Sequence, residues 1–254
     1  MVYRKLIIGL ALLSTLNGFA EKGNRGGNAG GSFELGKRHY ESGQYARALD
    51  LFSQSINAAS DGASRNRAYY YQGMVLFEMG HYYSAYISFR NVLLSADDNN
   101  REVYEKAIKN AVIITDRLNM VDRLGKILEK LPSSYIPSSV GDFANYSIGI
   151  FNFKSGNDDA AASHLKSVHP ESPFYYKAMF HLGILSTKKK DYKEAVFYFE
   201  KVGQVLRGKR EGFSQAELSR LNLARSLYSS GSTGSRRSFD GFALRVTPGG
   251  GASP

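Results

Sequence analysis

One spacing of small and aromatic residues recurs along the chain and restricts what it can fold into. Gly183, Ala195 and Phe199 lie in two stretches with helical apolar periodicity. The polar run 188–191 separates these stretches, and Ala195 and Phe199, four residues apart, share one helical face. Small side chains at Gly183 and Ala195 allow two helices to come close. Residues 181–202 therefore predict an antiparallel helical hairpin.

The same spacing occurs three more times along the chain, at a period of about 34 residues. Each copy has a glycine, then an alanine, then a large apolar residue: Gly36, Ala48 and Phe52; Gly73, Ala85 and Phe89; Gly149, Ala161 and Leu165. Two copies also have a turn glycine followed by tyrosine, at Gly43 and Tyr45 and at Gly80 and Tyr82. These residues resemble the tetratricopeptide repeat (TPR), which has the same small-residue pair, turn Gly–Tyr and second-helix aromatic residue.

This resemblance implies an all-α fold, a right-handed α-solenoid of about five helix-turn-helix repeats plus an extra terminal helix, over residues 32–230. Residues 101–131 are predicted to be a degenerate unit, because Ile108 and Met120 stand where other units have Gly and Ala. The proline- and serine-rich residues 132–140 are predicted to be a hinge. A capping-box pattern at residues 214–217 predicts the terminal helix, which extends to about Ser229.

The two ends of the chain do not follow the repeat. Residues 1–20 have a basic start, an apolar run and a small-x-small site, which predicts a secretory signal peptide. A buried helix and a membrane anchor are the alternatives, but the apolar run is shorter than the roughly 20 residues that a bilayer demands. Residues 21–31 are predicted to be a Gly-rich flexible leader. Residues 231–254 predict a disordered tail, native or left by truncation or frameshift of a longer array.

The composition and motifs contain no pattern of catalytic residues. The chain has no cysteine, which excludes disulfides and thiolate metal sites, and its five histidines lack metal-ligand spacing. The Gly-rich stretches lie outside any strand-to-helix turn, and no serine lies in a nucleophile elbow. We therefore predict no enzyme activity, no metal and no cofactor. The formal net charge is +10, which favours acidic partners or anionic surfaces.

The resemblance also implies a binding groove, because first-helix residues line the concave face of a TPR array. Transferred unit by unit, the groove positions are Phe33, Lys37, Tyr40, Arg67, Tyr70, Met74, Phe77, Tyr146, Ile150, Phe153, Lys154, Phe180, Ile184 and Lys188. Arg225 and Tyr228 extend this row, and Glu102 and Glu105 are its only acidic members. Aromatic and arginine side chains are typical anchors of protein interfaces.

The predicted function is an exported scaffold of the periplasm or cell envelope that binds protein or peptide partners with acidic or apolar segments. The alternative is a binder of anionic envelope polymers or of a membrane surface, with peripheral envelope contact. A nucleic-acid partner is not expected for an exported protein. Leu218, Leu221, Leu223 and Leu227 give the terminal helix more apolar surface than one neighbour covers, which predicts self-association through this helix.

Overall fold

A computed structural model describes residues 29–95, 101–207 and 213–229, without the side chains of residues 213–216. The predicted signal peptide, most of the predicted leader and the predicted tail lie outside these residues. Residues 29–31, which we expected in the flexible leader, instead form the start of the first helix. The Ser55 hydroxyl donates to the Ala29 carbonyl oxygen at 3.0 Å and ties this first turn to the second helix.

The described residues form eleven α-helices and no strand. Five helix pairs, here units 1 to 5, are α1 (Ala29–Glu41) with α2 (Tyr45–Ala58), α3 (Gly62–Glu78) with α4 (Tyr82–Leu94), α5 (Arg101–Arg117) with α6 (Val121–Leu128), α7 (Gly141–Ser155) with α8 (Asp158–Lys166), and α9 (Tyr175–Lys188) with α10 (Tyr192–Val205). The terminal helix α11 (Phe213–Ser229) packs on α10 and α9. Each helix packs against the next along the chain, so the predicted all-α solenoid is confirmed.

Four units bring a second-helix side chain directly onto a first-helix glycine. A Cβ atom built on Gly183 would lie 2.6 Å from Cε1 of Phe199, and one on Gly73 would lie 2.7 Å from Cε1 of Phe89. The same contact occurs in the pairs Gly36–Phe52 and Gly149–Leu165. The repeat alanines Ala48, Ala85, Ala161 and Ala195 are fully buried beside these contacts. The predicted close approach is confirmed, and the group that approaches the glycine most closely is the large side chain.

A left-handed residue ends the turn within every unit and defines the register of the repeat. The backbone φ angle is positive at Gly43, Gly80, Asn119, Gly156 and Lys190, each two residues before its second helix begins. Glycine adopts this conformation freely, and asparagine is the most tolerant of the other residues. In units 1, 2, 4 and 5 the repeat glycine lies at the same distance before this residue.

The register of unit 3 differs from the sequence-based prediction. Counted from Asn119, the positions of the repeat Gly and Ala are Val112 and Leu124, which are both buried, and not Ile108 and Met120. Unit 3 still departs from the repeat for the predicted reason: two branched side chains take the places of Gly and Ala and hold α5 and α6 apart. Accordingly α6 packs more extensively on α7 than on its own partner α5.

A backbone contact joins unit 3 to unit 4. A Cβ atom on Gly125 of α6 would overlap the Ser147 carbonyl group of α7 and lie 3.0 Å from the Ile148 nitrogen. The helices thus touch with no side chain between them. This contact bridges residues 132–140, which we predicted as a hinge, and one apolar core continues across them from α4 to α10. The hinge stays a prediction, and its opening would have to break the contact between Gly125 and Ser147 and divide this core.

The described residues 29–95, 101–207 and 213–229 include no helix that is both long and apolar enough to cross a membrane.

Candidate functional site

The first helices of units 1 and 2 meet through a group of aromatic rings. The Tyr71 ring on α3 lies at its centre, with ring centroids 5.3 Å from Phe33 and 6.2 Å from Tyr40. Its neighbour Tyr70 is 5.5 Å away, edge to face. Tyr71 also stacks on Phe52 at 5.5 Å, which joins this surface to the core. We call Phe33, Tyr40, Tyr70 and Tyr71 the N-terminal aromatic cluster.

Positive charges border this cluster. The Lys37 ammonium lies 5.8 Å from the Tyr71 ring centroid, and the Arg67 guanidinium lies 5.9 Å from that of Phe33. Cations in this position are attracted by the negative face of an aromatic ring. Arg67 is exposed, so its guanidinium can contact the cluster and a bound molecule at once.

The hydroxyl groups of Tyr40 and Tyr70 are neutral at physiological pH, because the pKa of each is raised. Burial, assisted by the Glu78 carboxylate, raises the pKa of Tyr40 to about 12. Burial likewise raises the pKa of Tyr70, against the opposing effect of the Lys106 ammonium. Both side chains therefore keep their proton and can donate a hydrogen bond to a carboxylate or carbonyl oxygen.

The corrected register of unit 3 changes the charge of this surface. Counted from the left-handed residues, Lys106 and Lys109 hold the places on α5 that Arg67 and Tyr70 hold on α3. These lysines replace Glu102 and Glu105, which we predicted there. Lys106 is paired with Glu102 at 2.6 Å, so the corrected register adds the exposed Lys109 as the basic side chain of this surface.

The structure distributes the predicted groove residues among three environments. Half-buried side chains are Phe33, Lys37, Tyr40, Tyr70, Met74, Phe77, Phe153, Phe180 and Ile184. Exposed ones are Arg67, Lys154 and Lys188. Tyr146 and Ile150 are buried in the core, at 6% and 3% exposure, because α7 lies deep between its neighbours. Their side chains cannot contact a bound partner, and they are removed from the candidate site.

Two predicted groove lysines join neighbouring units instead. Lys154 pairs with Asp122 of α6 at 3.0 Å, and Lys188 pairs with Asp158 of α8 at 2.6 Å. Each lysine lies in the last turn of a first helix, and each aspartate lies in the first turn of the preceding unit's second helix, where the helix dipole favours a negative charge. These positive charges are neutralised within the array.

An ion pair also crosses the middle of the array. Lys177 of α9 pairs with Asp116 of α5 at 3.1 Å, although α7 lies between these helices. The Lys177 ammonium lies 6.0 Å from the ring centroid of the buried Tyr146. This ion pair thus passes over Tyr146 on the first-helix side of the array.

His181 occupies in unit 5 the place that Tyr71 has in unit 2. Its ring lies among Phe153, Phe180 and Tyr146, with centroids 5.1, 5.6 and 6.4 Å away. Its Nδ1 atom is buried and has no hydrogen-bond partner in the part of the chain that the structure describes. Burial, together with the nearby Lys154 ammonium, lowers the pKa of His181 to about 4.

His181 is expected to make the protein less stable in mild acid. The unfolded chain takes up this proton near pH 6.5 and the folded chain only near pH 4, so stability falls across this interval by at most about 3 kcal/mol. His181→Phe should flatten the profile of unfolding free energy between pH 7 and 4.5, measured by urea titration. Parallel profiles for the two proteins would contradict this expectation.

The terminal helix has apolar side chains on its exposed surface. Leu218 and Leu221 are 49% and 47% exposed, and Tyr228 is 90% exposed. Leu223 and Leu227 are half-buried, so α11 is partly covered by α10 and α9. Self-association through this helix stays a prediction.

Among residues 29–95, 101–207 and 213–229, no three His, Asp or Glu side chains come together as a set that could hold a metal ion. No protein-family model matches the sequence, and no curated protein matches it either.

The chain is similar in fold to tetratricopeptide-repeat proteins of known structure. YrrB, described as a TPR protein with an unusual peptide-binding site, is 17% identical, with a TM-score of 0.49 over 71% of this chain and 88% of its own. MamA from Desulfovibrio magneticus RS-1 is 18% identical, with a TM-score of 0.46 over 74% of this chain and 100% of its own. PilW, a type IV pilus biogenesis factor, is 16% identical, with a TM-score of 0.44 over 86% of this chain and 94% of its own. At these identities the similarity concerns the fold.

Proposed function

We propose that this chain is a non-enzymatic scaffold that binds a segment of another protein at the N-terminal aromatic cluster. The observation that supports this proposal is the group of half-exposed rings bordered by cations. Aromatic and arginine side chains supply much of the binding energy in protein interfaces. Neutral tyrosine hydroxyls beside Lys37 and Arg67 suit a segment that combines carboxylates with apolar side chains.

Export to the periplasm or cell envelope is part of the proposal and depends on residues 1–20 alone. A second candidate function is the capture of an anionic polymer or membrane surface, which the net positive charge favours: +10 for the whole chain, and +8 (31 basic and 23 acidic residues) without Arg4 and Lys5 of the predicted signal peptide. The two functions differ in their salt dependence. Binding of a polymer should weaken steeply as salt rises, because screening weakens exposed charge pairs. Binding of a protein segment that covers the aromatic rings should weaken much less as salt rises.

The test is selection of binding peptides from a random display library against the full chain. We expect selected peptides to combine acidic and apolar residues, and the double variant Arg67→Ala/Tyr70→Ala to weaken their binding at least about tenfold. Both side chains are at least partly exposed, so the variant should keep its fold, which circular dichroism checks.

A matched control is Tyr83→Ala. This tyrosine lies on the second helix α4, is 52% exposed and stands outside the cluster, so its removal should leave peptide affinity unchanged. Equal affinities for wild type and the Arg67→Ala/Tyr70→Ala variant would contradict the proposed site. Steep loss of binding between low and high salt would favour the anionic polymer.

A further inference from the structure

A pocket of about 330 Å³ lies where α6, α7 and α8 meet the loop after α6. Its accessible apolar lining is the half-buried Leu131 and Ile136, and the buried Leu128, Ala144 and Ile148 form its floor. Glu129, Asn145 and His164 supply its polar lining. An apolar lining with a few polar groups is typical of small-molecule sites, and this volume is near the lower end of their range.

The pocket results from two departures from the repeat. Helix α6 has 8 residues and α8 has 9, whereas the second helices α2, α4 and α10 have 13 or 14. After α6 the chain continues through two short 3₁₀ turns, Ser133–Tyr135 and Ser138–Val140, which cover the missing helical turns only in part. The next helix begins with Gly141, and a Cβ atom built there would meet no atom within 4 Å.

Neighbouring units place a tyrosine where unit 4 has Gly141. Tyr104 in unit 3 and Tyr175 in unit 5 lie at the same distance before the left-handed residue as Gly141 does. Tyr104 is fully buried, and its hydroxyl accepts a hydrogen bond from Asn66 Nδ2 at 3.2 Å and donates one to the Ser95 carbonyl oxygen. In unit 3 a phenol ring with a hydrogen-bonded hydroxyl therefore completes the packing at this position.

Polar groups in the pocket can receive such a hydroxyl. The Asn145 side chain contacts His164, with 3.4 Å between Oδ1 and Nδ1, and donates to the Ser167 carbonyl oxygen at 3.5 Å. Both contacts are long for hydrogen bonds, so these groups can adjust at little cost. The Glu129 carboxylate accepts from Asn152 Nδ2 at 2.6 Å through one oxygen, and a carboxylate has capacity for further donors.

We propose that this pocket binds a phenol-sized aromatic ring that carries a hydroxyl group. The ring packs on the half-buried Leu131 and Ile136 above the buried floor of Leu128, Ala144 and Ile148, and the hydroxyl bonds to the polar side chains of the pocket. This site is separate from the N-terminal aromatic cluster, so its existence does not depend on the proposed function. The ring comes from a free small molecule or from the tyrosine of a partner, and both present the same chemistry.

The direct test is titration of the full chain with p-cresol, observed through the methyl NMR signals of Ala144 and Ile148. We expect saturable shifts at these methyl groups and roughly fivefold weaker binding of toluene, which lacks the hydroxyl. N-acetyltyrosine amide, compared with p-cresol, distinguishes a partner's tyrosine from a free phenol. Absence of saturable shifts, or equal binding of toluene, would overturn the proposal.

Filling the pocket from within gives the decisive comparison. Gly141→Tyr should reduce p-cresol binding at least about tenfold and raise the melting temperature, because the new ring takes the position of Tyr104 in unit 3. Gly62→Tyr is the matched control: this glycine also begins a helix and faces open space, so binding should stay at the wild-type level. Asn145→Met serves as a second blocking variant if Gly141→Tyr fails to fold. Wild-type affinity in a folded blocking variant would overturn the proposal.

Discussion

Replacing Gly125 by alanine is expected to destabilise the protein by about 3 kcal/mol or more. The added methyl group would overlap the Ser147 carbonyl group, and backbone atoms cannot move aside as the end of a side chain can. Relief requires α6 and α7 to separate, and this exposes apolar core on both sides of the junction. Urea denaturation of wild type and variant, followed by circular dichroism, measures the difference in free energy of unfolding.

The control for this substitution is Gly203→Ala in α10. A Cβ atom at Gly203 meets nothing within 4 Å, so only the helix propensity changes, and we expect a gain of roughly 0.5–1 kcal/mol. The same chemical change should thus have opposite signs at the two helical glycines. A loss of similar size at both positions would show that α6 and α7 are not in backbone contact.

Phe199→Ala is expected to cost about 3–5 kcal/mol. The ring is 1% exposed, lies on Gly183, and packs against Phe180 with 6.1 Å between centroids. Its removal leaves a cavity, and Gly183 has no side chain that could fill it. Thermal or urea unfolding of the variant measures the loss.

Phe197, two residues earlier on the same helix, provides the control. Its ring is 52% exposed and contacts the neighbouring Tyr198 ring and the Lys201 ammonium. Phe197→Ala should therefore change stability by no more than about 0.5 kcal/mol. If the two phenylalanine variants lost equal stability, the assignment of Phe199 to the glycine contact would be wrong.

The sequence was sufficient to predict the helix pairs because their packing depends on residues at fixed short spacings. Gly183 can face Phe199 only because the apolar residues of both helices recur with helical periodicity. Unit 3 has no glycine at the left-handed turn position, unlike units 1, 2 and 4. Asn119 takes this position, and no distinctive local pattern in the sequence marks it, so the predicted register of this unit was wrong.

The candidate site was harder to predict, since it depends on how successive units superpose. Counting along the repeat places Lys154 and Lys188 in the groove. In the structure, each lysine forms an ion pair with an aspartate in the first turn of the preceding unit's second helix. Tyr71 was missed because counting assigned the groove position to the adjacent Tyr70. The run of three tyrosines at residues 69–71 was the available signal, because rings on consecutive residues point in different directions on a helix.

The ion pair between Lys177 and Asp116 changes how the stabilities of the units are coupled to one another. An array in which each unit touches only its neighbours behaves as a one-dimensional series, and its stability is a sum of unit and interface terms. Here a single ion pair joins α5 to α9 across α7, so units 3, 4 and 5 form a closed ring of contacts. Opening unit 4 alone breaks its junctions with units 3 and 5, and the Lys177–Asp116 pair adds about 1 kcal/mol or less of direct coupling between those two units, because both side chains are partly exposed.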